Sequence, residues 1–109
     1  QQCVVSLPAT CDELRFTRPD GDDSPIRYLD FQPLLQRLKA SHLIRLFVGM
    51  LVERRVIFLS DSLSVLSTCT QAAVALLYPF HWQHVLIPIL PPSLLYFCCA
   101  PMPFVVGVL

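Results

Sequence analysis

From Val56 to Leu109 the chain carries one formally charged side chain, Asp61, although its formal net charge is zero. All eight basic residues and seven of the eight acidic ones lie at or before Arg55. A stretch of 54 residues with a single charge must be covered on most of its faces, because that much apolar surface in water drives association. A chain of 109 residues holds one domain at most, and such a domain buries only roughly two-thirds of the surface that its unfolded chain exposes. The apolar sequence exceeds what so small an interior absorbs. We therefore expect a piece of a larger protein, with another part of the protein, a partner or a bilayer supplying the missing cover.

The bilayer is the first alternative to test, since 48 uncharged residues follow Asp61 and a spanning helix needs only about 20 apolar residues. Pro79, Pro88, Pro91, Pro92, Pro101 and Pro103 cut that run, and Ser62, Ser64, Ser67, Thr68, Thr70 and Gln71 make its first part amphipathic. What remains is a set of short apolar runs with the dimensions of buried strands, so no membrane span is expected. The basic residues are interspersed with acids and form no stripe, which argues against nucleic acid. Cys3, Cys11, Cys69, Cys98 and Cys99 are odd in number and two are adjacent. They match neither a disulfide framework nor metal-ligand spacing and read as reduced thiols in a cytosolic setting. No signal-peptide pattern is visible.

Residues 1–29 are polar and acidic, and Pro19-Asp-Gly-Asp-Asp-Ser-Pro25 combines turn formers with repelling carboxylates, so this part reads as a surface loop or linker. Asp20, Asp22 and Asp23 lack the downstream glutamate of a calcium loop. Asp30 is placed to cap a helix from Phe31 to Lys39, with Pro33 in its first turn, and Ser41 to cap a second through Glu53. That second helix is apolar nearly all the way round, which predicts cover on most sides. Val56-Ile-Phe-Leu59 is a short β-branched run without alternation, typical of an interior parallel strand.

Ser60-Asp61-Ser62 turns the chain, and Leu66, Thr70, Ala73, Val74 and Leu77 recur at helical intervals, predicting a helix over 64–78 that Pro79 ends. His84-Val-Leu-Ile-Pro-Ile-Leu90 reads as a second strand in which Pro88 implies a bulge or a sheet edge. Pro91-Pro92 starts a short helix through Ala100, and Phe104 to Leu109 forms a third strand. Helices and strands in alternation predict an α/β fold: three layers, a mostly parallel sheet flanked by helices.

Covalent chemistry finds little support. Gly21, Gly49 and Gly107 are isolated and match no phosphate-binding fingerprint, and neither a nucleophile elbow nor a paired-carboxylate arrangement occurs. No cofactor, metal site or catalytic residue is expected. His81 and His84 flank Trp82 between a helix and a strand, where they read as histidines satisfied in the turn or touching a partner. Cys98 and Cys99 have no neighbouring base or cation to lower a thiol pKa. Arg54 and Arg55 either pair with Glu53 or Asp61 or contact an acidic patch on a partner. Phe80 and Trp82 are either core residues or interface anchors.

Four blocks in order then resemble the central part of a DENN domain. They are Leu51-Val-Glu-Arg-Arg-Val-Ile-Phe-Leu-Ser60, Ala75-Leu-Leu-Tyr-Pro-Phe-His-Trp-Gln-His84, Ile87-Pro-Ile-Leu-Pro-Pro92 and Ala100-Pro-Met-Pro-Phe-Val-Val-Gly-Val108. The resemblance covers 31–109. It implies that 1–29 follow an absent upstream lobe and that 30–109 form the central DENN segment, incomplete at its C-terminus and inactive alone. It further implies a cytoplasmic guanine-nucleotide exchange factor for a Rab GTPase, recruited to vesicle membranes and acting by binding the GTPase switch regions rather than by covalent chemistry. The alternative is a Rab-binding or scaffolding module without exchange activity. Where many relatives carry an aspartate after the Pro-Pro pair, this chain has Tyr96. Arg54, Arg55, Phe80, Trp82 and Tyr96 are the candidate GTPase-interface residues, chosen as large or charged side chains near element ends.

Overall fold

The computed structural model describes residues 2–6, 13–17, 26 and 29–109. Its elements are β1 (Gln2–Ser6), β2 (Glu13–Thr17), α1 (Gln32–Arg37), α2 (Ala40–Leu51), β3 (Val56–Leu59), α3 (Leu63–Ala75), β4 (Val85–Leu90), a 3-10 helix (Pro92–Cys99) and β5 (Phe104–Val108). β1 and β2 pair antiparallel, Gln2 opposite Thr17 and Ser6 opposite Glu13. Part of the stretch expected to be a loop is thus strand. The β-forming runs Cys3-Val-Val5 and Leu14-Arg-Phe16 outweigh the polar composition around them. The Asp20, Asp22 and Asp23 cluster lies outside the described residues.

The second sheet has three parallel strands in the order β3-β5-β4. Its centre is β5, whose Phe104, Val105 and Val106 are fully buried. β3 lies at an edge of this sheet rather than in its interior, and its burial alternates: Val56 and Phe58 are half-buried, while Ile57 and Leu59 are 45% and 78% exposed. An unbroken apolar run does not distinguish a strand covered on two faces from one that shows a face outward. β4 is the other edge, and its register with β5 slips between Ile87 and Leu90, around Pro88. Proline withholds the ladder donor, so the bulge and the edge position both follow from it.

α3 packs across all three strands. Its buried face is Leu66, Cys69, Thr70, Ala72 and Ala73, continued by Leu77 in the following turn. Small side chains let the helix approach closely, and the one buried polar group among them, the Thr70 hydroxyl, donates within the helix to the Leu66 or Ser67 carbonyl, each 3.0 Å away. Gly107 belongs to the same contact. A Cβ there would overlap the Pro88 carbonyl oxygen on the bulged strand and stand 2.7 Å from Leu66 Cγ, so only glycine fits where strand, bulge and helix meet.

α1 packs on α3. Phe31, already helical, occupies the cap position and no side chain caps the helix; Asp30, the expected cap, stands one residue earlier, where its Oδ1 accepts the Gln32 N–H at 2.9 Å. α2 starts two residues earlier than a Ser41 cap implies. Lys39, in extended backbone, occupies the cap position; its carbonyl receives the His42 and Leu43 N–H groups, and no side chain caps the helix. Leu43, Leu46, Phe47 and Met50 join the core formed by Leu34, Cys69, Ala72, Ala73, Leu77 and Val105. Ile44, Val48, Leu51 and Val52 face outward, so α2 is covered on one side only, contrary to the expectation of cover on most sides. The 3-10 helix reaches the sheet through Phe97, 5.9 Å from the Phe104 ring. Among the described residues, no helix is long and apolar enough to cross a membrane.

Candidate interaction site at the strand starts

Because the three strands run parallel, the segments entering them lie together at one end of the sheet. These are Glu53 to Arg55 before β3, Phe80 to His84 before β4, and Ala100 to Pro103 before β5. Four of the five candidate interface residues fall in the first two segments. Side-chain contacts stitch the three segments together.

The first segment is shaped by how α2 ends. The Arg54 N–H reaches back to the Gly49 carbonyl at 2.9 Å and the Glu53 N–H to the Met50 carbonyl at 3.1 Å, the paired bonds of a Schellman motif. That motif needs a left-handed residue between helix and strand, and here it is Glu53, at φ 55°. Glycine is usual at such a position because a Cβ is disfavoured there. The turn sends Arg54 into solvent, where among the described residues it forms no ion pair. Arg55 does not pair with Glu53 or Asp61 as expected; its Nη1 donates to the Ala100 carbonyl at 3.3 Å, tying the start of β3 to the end of the 3-10 helix.

Glu53 turns instead to the second segment, where its Oε1 lies 3.2 Å from His84 Nε2. That nitrogen is shut off from solvent and has no aligned hydrogen bond. The carboxylate is at ion-pairing distance but off the hydrogen-bonding line. The His84 ring stands edge-on to Trp82, centroids 5.2 Å apart. Trp82 packs against the core, and its Nε1–H donates to the Val85 carbonyl at 3.1 Å. The two aromatic residues therefore separate: Trp82 is held inward, whereas Phe80 is 65% exposed. His81 is exposed as well. Tyr96 lies apart from this cluster in sequence, on the 3-10 helix, 72% exposed beside the exposed Leu94 and Leu95.

At the opposite end of the sheet is a cleft of about 280 Å³ that no local residue pattern announces. α1 contributes Leu34, Arg37 and Leu38, the end of β3 contributes Phe58 to Asp61, and α3 contributes Val65, Leu66 and Cys69. Burial pushes the Cys69 thiol above its ordinary pKa, and the Arg37 guanidinium opposes this to a smaller extent. The cleft is thus an apolar trough with a protonated thiol among its lining groups. Among the described residues, no cluster of histidines, cysteines and carboxylates is placed to hold a metal.

The profile of the DENN (AEX-3) domain matches residues 1–109. Human DENN domain-containing protein 2B is 50% identical over 104 residues, which are 94% of this chain and 9% of that protein. Mouse DENN domain-containing protein 2A is 49% identical over 87 residues, 80% of this chain and 9% of that protein. Human DENN domain-containing protein 2D is 46% identical over 95 residues, 87% of this chain and 20% of that protein. The chain belongs to the DENN domain family. It spans about a tenth of the length of the 2A and 2B relatives.

Proposed function

We propose that this chain is the central α/β segment of a DENN-type exchange factor, which promotes GDP release from a Rab GTPase by binding its switch regions. The observation that carries the reading is the family match across the whole chain. The shape of the strand-start end supports it. An exposed arginine with no ion-pair partner among the described residues and an exposed phenylalanine are features of a protein-docking surface. Exchange of this type needs differential binding among GTPase states and no covalent step. The protein is accordingly a binding factor and not an enzyme in the covalent sense, working in the cytoplasm and on vesicle membranes to which it is recruited. The test is release of labelled GDP from a full Rab panel by the full-length protein. Acceleration for at least one Rab supports the reading, and none across the panel overturns it.

A second reading, Rab binding or scaffolding without exchange, is favoured by Tyr96. It stands exposed on the 3-10 helix where the family resemblance leads one to expect a carboxylate. Stable Rab binding without faster GDP release would select this reading.

A further inference from the structure

The backbone at Glu53 and the environment of His84 are each unusual, and each explains the other. A glutamate holds the left-handed position of the Schellman turn, where glycine would be relaxed. His84 Nε2 has been withdrawn from water, and its nearest acidic partner is the carboxylate of that same glutamate, 3.2 Å away. The contact joins two segments that are 31 positions apart in the chain, and both carry exposed candidate docking residues, Arg54 on one and Phe80 on the other.

We propose that Glu53 and His84 form a positioning pair that fixes the direction of Arg54, so that the strand-start end presents this cation on the same end of the sheet as the exposed Phe80 ring. Such a surface fits a polypeptide patch carrying a carboxylate next to apolar side chains. The proposal rests on the reading that this end meets the GTPase. Glycine at position 53 would ease the turn and delete the pair, which separates positioning from stability. Backbone relief and docking then change in opposite directions, whereas a merely structural role would move both together.

The experiment measures thermal midpoint and GTPase association for the full-length protein carrying Glu53→Gly, Glu53→Gln, Arg54→Ala or Glu53→Gly with Arg54→Ala. Glu53→Gly should keep or raise the midpoint and weaken association roughly three- to fivefold, the scale of a solvent-exposed ion pair. Glu53→Gln removes the carboxylate but leaves a side chain in the left-handed turn, and should weaken association by a similar factor without raising the midpoint. The double variant should bind no more weakly than Arg54→Ala alone, because the pair acts through Arg54. The proposal is overturned if Glu53→Gly leaves association unchanged while Arg54→Ala lowers it, or if the two losses multiply. If Arg54→Ala itself has no effect, the docking reading fails along with the proposal.

Discussion

The two ends of the parallel sheet are built differently. At the strand starts, side chains tie the connecting segments together, Glu53 to His84 and Arg55 to the Ala100 carbonyl, and Trp82 is tied to the Val85 carbonyl at the start of β4. At the strand ends, the elements spread to leave an apolar cleft between α1, β3 and α3. In open α/β folds small ligands usually bind beyond the strand ends. Here an exposed arginine, Arg54, and an exposed phenylalanine, Phe80, lie at the other end. The lesson is that a fixed surface and an open pocket serve different binders. Docking between rigid surfaces gains from groups whose directions are already set, since less freedom is lost on association.

This contrast is open to attack, beginning with the substitution expected to do most damage. Gly107→Ala places a Cβ against the Pro88 carbonyl and Leu66, and should destabilise by about 3 kcal/mol, the upper range for overpacking. A denaturation midpoint close to that of the wild type would mean that α3 and the bulge yield easily, and that the strand-end side is looser than described. Next, Trp82→Ala should cost about 2 kcal/mol through lost packing and an unpaired Val85 carbonyl. Phe80→Ala should change stability by no more than about 0.5 kcal/mol. Equal losses in chemical denaturation would erase the division between anchored and docking aromatics.

Thiol labelling sharpens the comparison further. Cys99 is exposed, Cys98 half-buried and Cys69 buried in the cleft lining, so maleimide should modify them in that order as read by peptide mass mapping. Since burial raises the Cys69 pKa, its thiolate fraction at neutral pH lies below that of an ordinary thiol, and its labelling should accelerate only as the medium becomes more alkaline. Fast labelling of Cys69 at neutral pH would show that the cleft opens well beyond its described shape. A comparably small effect is expected of Arg55→Lys, which shortens the reach to the Ala100 carbonyl and should cost about 0.5 kcal/mol.

Much of this architecture was legible in residue patterns. Three apolar runs separated by prolines gave β3, β4 and β5, Pro88 gave the bulge and the edge, and the spacing of Leu66, Thr70, Ala73 and Leu77 gave the buried face of α3. Local signals carry that information because the period and the punctuation lie within a few residues. What escaped depends on which segments meet. The order β3-β5-β4 puts Val56–Leu59 at an edge, and nothing inside those four residues encodes a neighbour 49 positions away. The Ser41 cap failed for a similar reason, as core packing through Leu43 and Met50 sets where α2 lies. Within 1–29, acidic composition masked the strands Gln2–Ser6 and Glu13–Thr17.

The candidate site divides along the same line. Residue type and position at element ends were enough to select Arg54, Arg55, Phe80, Trp82 and Tyr96. They could not reveal that Arg55 and Trp82 are committed to backbone carbonyls while Arg54 and Phe80 face outward. Glu53 was considered only as a partner for its neighbouring arginines. Its contact with His84 follows from a left-handed turn that a glutamate does not advertise.

The measurement that tests the account most directly is GDP release from the responsive Rab by full-length protein carrying Arg54→Ala or, at the other end of the sheet, Asp61→Asn. If docking uses the strand-start end, Arg54→Ala should slow the stimulated release by about five- to tenfold, a loss near 1 to 1.4 kcal/mol, while Asp61→Asn leaves it unchanged. A loss with Asp61→Asn and none with Arg54→Ala would contradict the account and move the docking surface to the cleft.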